Sequence, residues 1–329
     1  MRVVAIGRTE NLYESIMKIR GAGHDIILII SCKESPGYRV TTNDFKLLAK
    51  KIGVGFIETE RINSPEVKNI IKESKPDIGI GFNWKTIISQ EVIDCFPYGI
   101  INAHAGDLPR YRGNAVPNWA IISGEKKIVL TLHLMVVELD AGPIVIQREI
   151  PVTNKTNISE VYEFIRNNCP DMFLDAINGF ATDSIELSHQ SKDPSLSLRC
   201  YPRSPIDGEI DWKLPAIKLD RLIRAVSEPF TGAYTYMGSK KIYVWKAHYE
   251  IPSYPFLGIP GQVAERRMKK GEVAIITGEG FLVLEEIESK NQGRKKATEI
   301  ISTIRTRLGM DITGEIVMIK EYLEKIQKC

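Results

Sequence analysis

The sequence is poor in residues arranged to bind metals or to form disulfides. Its five cysteines and five histidines are scattered, with no Cys-x-x-Cys pair and no Cys/His cluster. Zinc sites need such ligands at short spacings, so we predict no metal. An odd, unpatterned set of cysteines is typical of reduced thiols in a cytoplasmic protein. The cysteines are Cys32, Cys95, Cys169, Cys200 and Cys329.

Long apolar runs are also absent, and so is a strong charge of either sign. No run approaches the roughly 20 residues that a membrane helix needs, and the first residues lack the pattern of a signal peptide. The formal net charge is +3, with 43% hydrophobic and 26% charged residues. So small a charge does not by itself indicate nucleic acid. We therefore predict a soluble, globular, cytoplasmic protein with no membrane partner, and the composition disfavours nucleic acid.

A dinucleotide-binding motif is the third absence. Two strand-like segments, residues 3–6 and the largely apolar residues 25–30, flank a helical pattern at 11–19, and such an order predicts a mostly parallel, Rossmann-like sheet. A dinucleotide site would need Gly-x-Gly-x-x-Gly directly after the first strand, whereas Gly7 is followed there by Arg8. We therefore predict an α/β fold that does not bind NAD.

The candidate catalytic residues lie in the stretch from residue 101 to residue 147. Asn102 and His104 alternate at a predicted strand end, so their side chains lie on one face. Asp140 follows on a turn between two apolar runs. An amide donor, a base and an orienting carboxylate are the groups needed to move an acyl group onto an amine. Taken singly, each of these motifs is weak evidence for catalysis. An Asp before Ala-Gly-Pro, for example, is also typical of an ordinary turn.

The second half of the chain predicts a different architecture. Short strands separated by glycine-rich turns are typical of a small β-barrel. We place the catalytic domain at residues 1–198, an OB-like barrel domain at 199–310 and a tail at 311–329. Residues 314–328 have the pattern of an amphipathic helix, for which packing is the default role.

The ordered motifs resemble those of a known family. Asn102-x-His104, then Leu-Pro-x-x-Arg-Gly at 108–113, then Leu-Asp-x-Gly at 139–142 resemble the signature of formyltransferases that use N10-formyltetrahydrofolate. The block Arg-x-Pro-x-Asp-Gly-x-Ile-Asp-Trp at 203–212 resembles their C-terminal domain. The resemblance covers nearly all of residues 1–310. One departure is that Gly106 and Asp107 stand where the family usually has Ser and Leu.

The resemblance implies a role for several residues. Asn102, His104 and Asp140 would be catalytic, and Arg112 would meet a phosphate, although a structural ion pair is an equal alternative for a loop arginine. The turn at 82–88 and the segment before the acid would bind the folate co-substrate. The implied cofactor contacts are Thr86, Ile87, Ile88, Asn114, Val136, Val137, Glu138 and Leu139.

The formyl acceptor is the open question. Methionyl-tRNA formyltransferase carries a long basic insertion after the second strand, whereas residues 31–40 here are short and nearly charge-balanced. The best likeness is to nucleotide-sugar N-formyltransferases, such as the domain acting on UDP-4-amino-4-deoxy-L-arabinose, which carries Arg where this chain has Asn114. That likeness implies a nucleotide-linked amino sugar and a role in cell-surface polysaccharide (lipopolysaccharide) biosynthesis. Methionyl-tRNA formylation and a non-catalytic folate- or nucleotide-binding module remain alternatives, and a homodimer is an alternative to a monomer.

Overall fold

The computed structural model describes residues 1–35 and 37–309, and in the tail Ile316, Val317, Ile319, Lys320, Leu323 and Ile326. The chain divides into two compact units. The first comprises Met1–Ala120, Lys126–Thr153 and Glu160–Pro202, and the second Ile121–Glu125, Asn154–Ser159 and Arg203–Cys329. In the described part of the chain, no helix has both the length and the apolar character that crossing a membrane requires.

The first unit is built on a seven-stranded sheet. The strands up to residue 200 are β1 Arg2–Gly7, β2 Asp25–Ser31, β3 Gly55–Glu58, β4 Ile78–Phe82, β5 Ile100–His104, β6 Tyr111–Gly113, β7 Lys127–Leu134, β8 Ile144–Pro151 and β9 Leu198–Cys200. The helices are α1 Glu10–Gly21, α2 Thr42–Ile52, α3 Pro65–Glu73, α4 Gln90–Ile93, α5 Val116–Ser123 and α6 Ile158–Ala181, with a 3-10 helix at Pro194–Leu196.

The sheet order is β3-β2-β1-β4-β5-β7-β8. The first five strands in that order run parallel, and β7 is antiparallel to both β5 and β8. The predicted mostly parallel, Rossmann-like sheet is confirmed. In an open sheet of this kind, ligands bind beyond the carboxyl ends of the strands, where β4 and β5 end side by side.

Local sequence explains why these elements form. The strands β1 and β2 are buried apolar runs, and Val4, Ile6, Leu28 and Ile30 join one core cluster. The helix α2 begins with a capping box, in which the Thr41 side chain and backbone exchange hydrogen bonds with its third residue. The helix α3 begins at a proline that follows a serine cap, an arrangement that favours a helix start.

The second unit contains an antiparallel sheet. Its elements are a 3-10 helix at Pro205–Gly208, α7 Ala216–Val226, β10 Ala233–Met237, β11 Lys240–Glu250, β12 Val263–Arg267, β13 Glu272–Ile276, β14 Phe281–Ser289, β15 Gly293–Lys296 and α8 Ala297–Ile300. The order is β10-β11-β14-β13-β12, with β15 also on β14. Among the described strands, no pairing joins β10 to β12, so the sheet is open and the predicted OB-like barrel is not confirmed.

The predicted tail helix at residues 314–328 is described only in part. The six tail residues that the structure describes are all helical. The other residues of that prediction lie outside the described residues.

Candidate active site

Strands β5 and β7 place two of the three predicted catalytic residues beside the third. Their antiparallel pairing sets Asn102 opposite His133. Because side chains alternate along a strand, Asn102 and His104 lie on the same face. The turn after β7 brings Asp140 to that face, where its Oδ2 lies 3.6 Å from Nδ1 of His104. The structure thus gathers residues that are distant in the sequence.

The His104 imidazole is buried and held by the backbone. Its Nε2 lies 2.6 Å from the carbonyl oxygen of Tyr111. A carbonyl can only accept, so Nε2 donates and the lone pair of the neutral ring is on Nδ1, the nitrogen nearest Asp140. Gly106 leaves room for this contact, since a Cβ there would overlap both Nε2 and the Tyr111 oxygen. Burial lowers the pKa of His104, although Asp140 opposes that effect. The ring is therefore neutral at pH 7.

Asp140 is the negative charge of the site. Its Oδ2 accepts a hydrogen bond of 2.9 Å from the Gly113 backbone N–H, and its Oδ1 lies 3.5 Å from Nε2 of His133. Burial would raise the pKa of this carboxyl, but contact with His133, the imidazole of His104 and the Gly113 N–H together lower it to about 2. The carboxylate is therefore fully ionised at neutral pH.

Asn102 is oriented by His133. Nδ1 of His133 donates to the Leu134 carbonyl at 2.9 Å, and Nδ2 of Asn102, an atom that can only donate, lies 3.2 Å from Nε2 of the same ring. One of the two amide N–H groups is used in this way. The second is left for a ligand in the cavity that Asn102 lines. The partners of His133 are thus two of the predicted catalytic residues, Asn102 and Asp140.

The turn that carries Asp140 is held from outside the sheet. Nε2 of Gln190 donates to the carbonyls of both Asp140 and Gly142, at 2.8 and 2.7 Å. Oε1 of Gln190 accepts from Arg112 at 2.8 Å. Asp140 itself has a left-handed φ of 50°. A conformation of this kind persists only when the surroundings fix it, and Gln190 does so.

A cavity of about 280 Å³ opens in front of these side chains. It lies at the carboxyl ends of β4 and β5, as expected for this sheet. Asn102, His104 and Asp140 line it, together with seven of the eight predicted cofactor contacts. Those seven are Thr86, Ile87, Ile88, Asn114, Val136, Val137 and Leu139.

Two predicted contacts lie elsewhere. Glu138 and Arg112 are not among the residues that line the cavity. They pair with each other instead, with Nη1 of Arg112 3.1 Å from Oε1 of Glu138. This is the ion pair that the sequence left open for Arg112. The phosphate contact of Arg112 stays a prediction.

Several lining residues were not predicted. Asn83, Trp84, Met135, Tyr162 and Ile165 are among them. Asn83 and Trp84 belong to the turn at 82–88 and were within reach of the sequence pattern. Tyr162 and Ile165 lie on α6, where only the helical periodicity was readable. Among the described residues, no three His, Cys, Asp or Glu side chains are grouped to hold a metal ion.

Comparison with known proteins agrees with this geometry. Residues 1–177 match the family described as Formyl transferase, and residues 203–305 match Formyl transferase, C-terminal domain. The first match spans more than half of the chain. The chain therefore belongs to the formyl transferase family, whose enzymes transfer formyl groups, and the predicted resemblance is confirmed.

Solved structures show the same fold at low identity. WlaRD, a sugar 3N-formyl transferase solved with dTDP and 5-N-formyl-THF, is 17% identical with a TM-score of 0.61 over 89% of this chain and 98% of that chain. An N-formyltransferase from Helicobacter canadensis, with folinic acid and dTDP-3-aminofucose, is 17% identical with a TM-score of 0.60 over 86% and 97%.

A longer protein also matches. HypX from Aquifex aeolicus, in complex with tetrahydrofolic acid, is 19% identical with a TM-score of 0.57 over 91% of this chain and 46% of that chain. The chain thus spans about half the length of the HypX structures that it matches. At these identities the likeness shows the fold alone.

Proposed function

We propose that the chain transfers a formyl group from N10-formyltetrahydrofolate to the amine of a nucleotide-linked amino sugar. The observation that carries this proposal is the convergence of Asn102, His104 and Asp140 on one cavity of the Rossmann-like unit. One solved structure with this fold is a sugar 3N-formyl transferase with dTDP and 5-N-formyl-THF, and another is an N-formyltransferase with folinic acid and dTDP-3-aminofucose. The product would serve cell-surface polysaccharide synthesis.

The proposed reaction begins when the uncharged sugar amine attacks the formyl carbon. The oxygen of that carbonyl gains negative charge, which the second amide N–H of Asn102 stabilises; one such donor is worth roughly 3–4 kcal/mol. Nδ1 of His104 accepts a proton from the attacking nitrogen. The imidazolium then lies 3.6 Å from the ionised carboxylate of Asp140. This charge pair exists only after proton transfer, so it favours the transition state over the resting site.

The bond between the formyl carbon and N10 breaks in the second half of the reaction. The His104 imidazolium returns its proton to N10 as that bond breaks. The products are a formamide on the sugar and tetrahydrofolate, with no net proton change at the enzyme. Tyr111 keeps its hydrogen bond to Nε2 throughout, so the ring need not turn between the two steps.

The folate would lie between two apolar turns. The side chains of Ile87, Val136, Val137 and Leu139 are all exposed although they are large and hydrophobic. They line the cavity on both sides of the predicted catalytic residues. A flat heterocycle covers such side chains and takes its hydrogen bonds from the backbone. This arrangement supports the predicted contacts at residues 86–88 and at Val136, Val137 and Leu139.

A buried cation that is hydrogen-bonded to a lining residue of the cavity supports a phosphate-bearing acceptor. Arg8 is buried, and its guanidinium donates to the carbonyls of Asn83 and Lys33 and to the Ser35 hydroxyl, at 3.0–3.1 Å. Asn83 is a lining residue of the cavity. No carboxylate pairs with Arg8 in the described part of the chain, although buried charges are normally paired. An anionic ligand would provide that partner.

The start of α1 also favours a phosphate-bearing acceptor. Its N-cap residue, Thr9, is buried, makes no capping hydrogen bond and has a hydroxyl without a partner among the described residues. The first N–H groups of a helix also favour an anion. Together with the adjacent Arg8, these donors suit the diphosphate of a nucleotide sugar.

The four cysteines recorded as free in the described chain, Cys32, Cys95, Cys169 and Cys200, are consistent with the reducing conditions of the cytoplasm. We therefore propose that the reaction takes place there. Fractionation of the native cells, followed by immunodetection, checks this part of the proposal.

A set of parallel assays, one for each candidate acceptor, tests the acceptor. The protein is incubated with formyl-folate and, separately, with UDP- and dTDP-linked amino sugars and with Met-tRNA, and formylated product is measured by mass spectrometry. We expect product from at least one amino sugar and none from Met-tRNA. The reverse outcome would overturn the sugar assignment.

The variant His104→Ala separates an enzyme from a binding module. We expect it to bind formyl-folate as the unmodified chain does and to lose about 10²–10⁴-fold in turnover. A wild-type chain that binds formyl-folate but formylates none of the acceptors would support the non-catalytic alternative.

A further inference from the structure

A row of polar side chains crosses the sheet from His104 to β8. Thr131 on β7 lies directly opposite His104 on β5 and directly opposite Gln147 on β8. Directly opposite residues of paired strands share one face of a sheet, so the three side chains are neighbours. Neither Thr131 nor Gln147 is among the residues that line the cavity. Any effect of these two residues on the chemistry must therefore act through other residues.

The hydrogen bonds of this row run in one direction. Nε2 of Gln147 donates to the Thr131 hydroxyl at 2.9 Å, because an amide nitrogen can only donate. The hydroxyl gives its single proton to the Gly106 carbonyl, 2.7 Å away. Thr131 is fully buried, so water does not compete for that proton. Gln147 thus orients the hydroxyl, and the hydroxyl holds Gly106.

Gly106 lies against both atoms of the hydrogen bond that fixes the His104 ring. A Cβ at Gly106 would overlap Nε2 of His104 and also the carbonyl oxygen of Tyr111. The loop from Gly106 to Tyr111 is bonded internally, since the Tyr111 N–H donates to the Asp107 carbonyl at 3.3 Å. The position of the Tyr111 carbonyl therefore depends on where Gly106 is held.

Two acceptors compete for the single proton of the neutral His104 ring. The Tyr111 carbonyl oxygen lies 2.6 Å from Nε2, and Oδ2 of Asp140 lies 3.6 Å from Nδ1. A charged acceptor makes the stronger hydrogen bond, so the carboxylate favours a proton on Nδ1. That tautomer lacks the lone pair on Nδ1 that the proposed reaction uses. The active tautomer therefore requires the Tyr111 carbonyl to stay within hydrogen-bonding distance of Nε2.

We propose that Thr131 and Gln147 are positioning residues that keep His104 in the tautomer with its proton on Nε2. They do so by holding the Gly106 carbonyl, and with it the loop that carries the Tyr111 carbonyl. This role rests on the proposed function, in which Nδ1 of His104 is the base. The rate of formyl transfer then depends on two side chains outside the cavity.

Nuclear magnetic resonance of the full chain, labelled with ¹⁵N-histidine, tests the tautomer directly. Protonated and unprotonated ring nitrogens differ in chemical shift, and His104→Ala identifies the signals of His104. We expect the unmodified chain to carry the proton on Nε2. Thr131→Val removes the hydroxyl and should change the tautomer ratio towards Nδ1 by about tenfold, the worth of one hydrogen bond. Thr131→Ser keeps a hydroxyl and should retain the ratio of the unmodified chain.

Steady-state kinetics with an identified acceptor give a second measurement. We expect Thr131→Val to lower kcat by about 10- to 100-fold and to leave KM for formyl-folate within about twofold. Gln147→Leu should change both the ratio and kcat in the same direction but by less, because the Thr131 hydroxyl remains. Thr235→Val is the matched control, since Thr235 is also a buried strand threonine, whose hydroxyl accepts from Trp212 at 2.9 Å. It should cost stability without changing kcat or the His104 signals.

Two outcomes would overturn the positioning role. One is a Thr131→Val protein with the tautomer ratio of the unmodified chain, and the other is an equal change in Thr131→Ser. If Thr131→Val does not fold, Gln147→Leu at its exposed position decides in the same way. The resonance measurement needs neither formyl-folate nor an acceptor. A chain that shows the expected tautomers but formylates no acceptor would therefore refute the proposed function alone.

Discussion

Asn102 and His133 meet across β5 and β7, with Nδ2 of the amide 3.2 Å from Nε2 of the imidazole. The imidazole is itself fixed by its hydrogen bond to the Leu134 carbonyl. The Asn102 amide therefore cannot rotate freely, and the direction of its second N–H bond is fixed. The proposed oxyanion donor thus depends on a residue that need not touch either substrate.

Replacement of His133 by Phe should lower kcat by about 10- to 100-fold and leave KM for formyl-folate nearly unchanged. The loss should be smaller than the roughly 10²–10³-fold expected when an oxyanion donor is removed outright. Steady-state kinetics measure both parameters. In an Asn102→Ala background, His133→Phe should cost less than it does in the unmodified chain, because the part of its effect that acts through Asn102 is already lost, and only the contact with Asp140 remains to be removed. Additive losses in the double variant would contradict this coupling.

The pH dependence of turnover should follow His104. Its pKa is lowered by burial from the ordinary value of 6.5, so the neutral base persists below that pH. We expect the acid limb of the kcat/KM profile to lie below pH 6.5. Asp140 raises the pKa of His104, so Asp140→Asn should move that limb to still lower pH. An acid limb above pH 6.5 in the unmodified chain would rule out this assignment.

Acid stability should depend on Asp140. Its pKa is about 2 in the folded chain against an ordinary 3.8. The ionised carboxylate therefore stabilises the fold above about pH 4, and this contribution is lost as the pH falls towards 2. The difference corresponds to about 2 kcal/mol of unfolding free energy. In denaturant titrations at pH 5 and pH 2, Asp140→Asn should lack this pH-dependent part. A constant difference between the two proteins would contradict the lowered pKa.

Restoring the usual family residue at position 106 should be harmful here. A Cβ at Gly106 would overlap both His104 and the Tyr111 carbonyl, so Gly106→Ser must displace the imidazole. We expect turnover to fall at least about tenfold, since misplacement of a catalytic group by about 1 Å costs up to 10²-fold. Gly293→Ser is a control for the substitution itself, because nothing lies within 4 Å of a Cβ there. Its φ of 68° disfavours serine, so it should cost stability without changing turnover of the folded protein.

The ion pair of Arg112 and Glu138 should contribute little. The Glu138 side chain is 75% exposed, and exposed pairs are worth about 0–1 kcal/mol. Glu138→Gln should therefore leave turnover and KM within about twofold. A tenfold rise in KM for the acceptor would instead place this pair in the acceptor site, and acceptor titrations decide between the two.

The sequence predicted the strands themselves more readily than the register between strands and the turns that connect them. Apolar runs were enough for β1 and β2, and alternation alone put Asn102 and His104 on one face. The position of Asp140 was not readable in the same way, because it depends on the register of β7 against β5 and on the turn that follows. The open sheet of the second unit was also out of reach, because short strands with glycine turns occur in open and closed sheets alike.

The same limit explains the two predicted contacts outside the cavity. Residues 136–139 were assigned to the folate as one segment, but successive residues of a turn face different ways. Val136, Val137 and Leu139 face the cavity, while Glu138 faces Arg112. Only the coordinates of the turn separate them.

Gln190 binds the carbonyls on both sides of Ala141 with one amide group, and it does so from a segment far along the chain. The turn that carries Asp140 therefore cannot move independently of Gln190. A substitution at position 190 that removes these hydrogen bonds would displace the Asp140 carboxylate without changing any residue that contacts the substrates. Substitutions at position 190 would therefore change the turnover rate more than the preference for one acceptor over another. Attempts to redirect the protein towards other amines would accordingly do well to leave this distant amide in place.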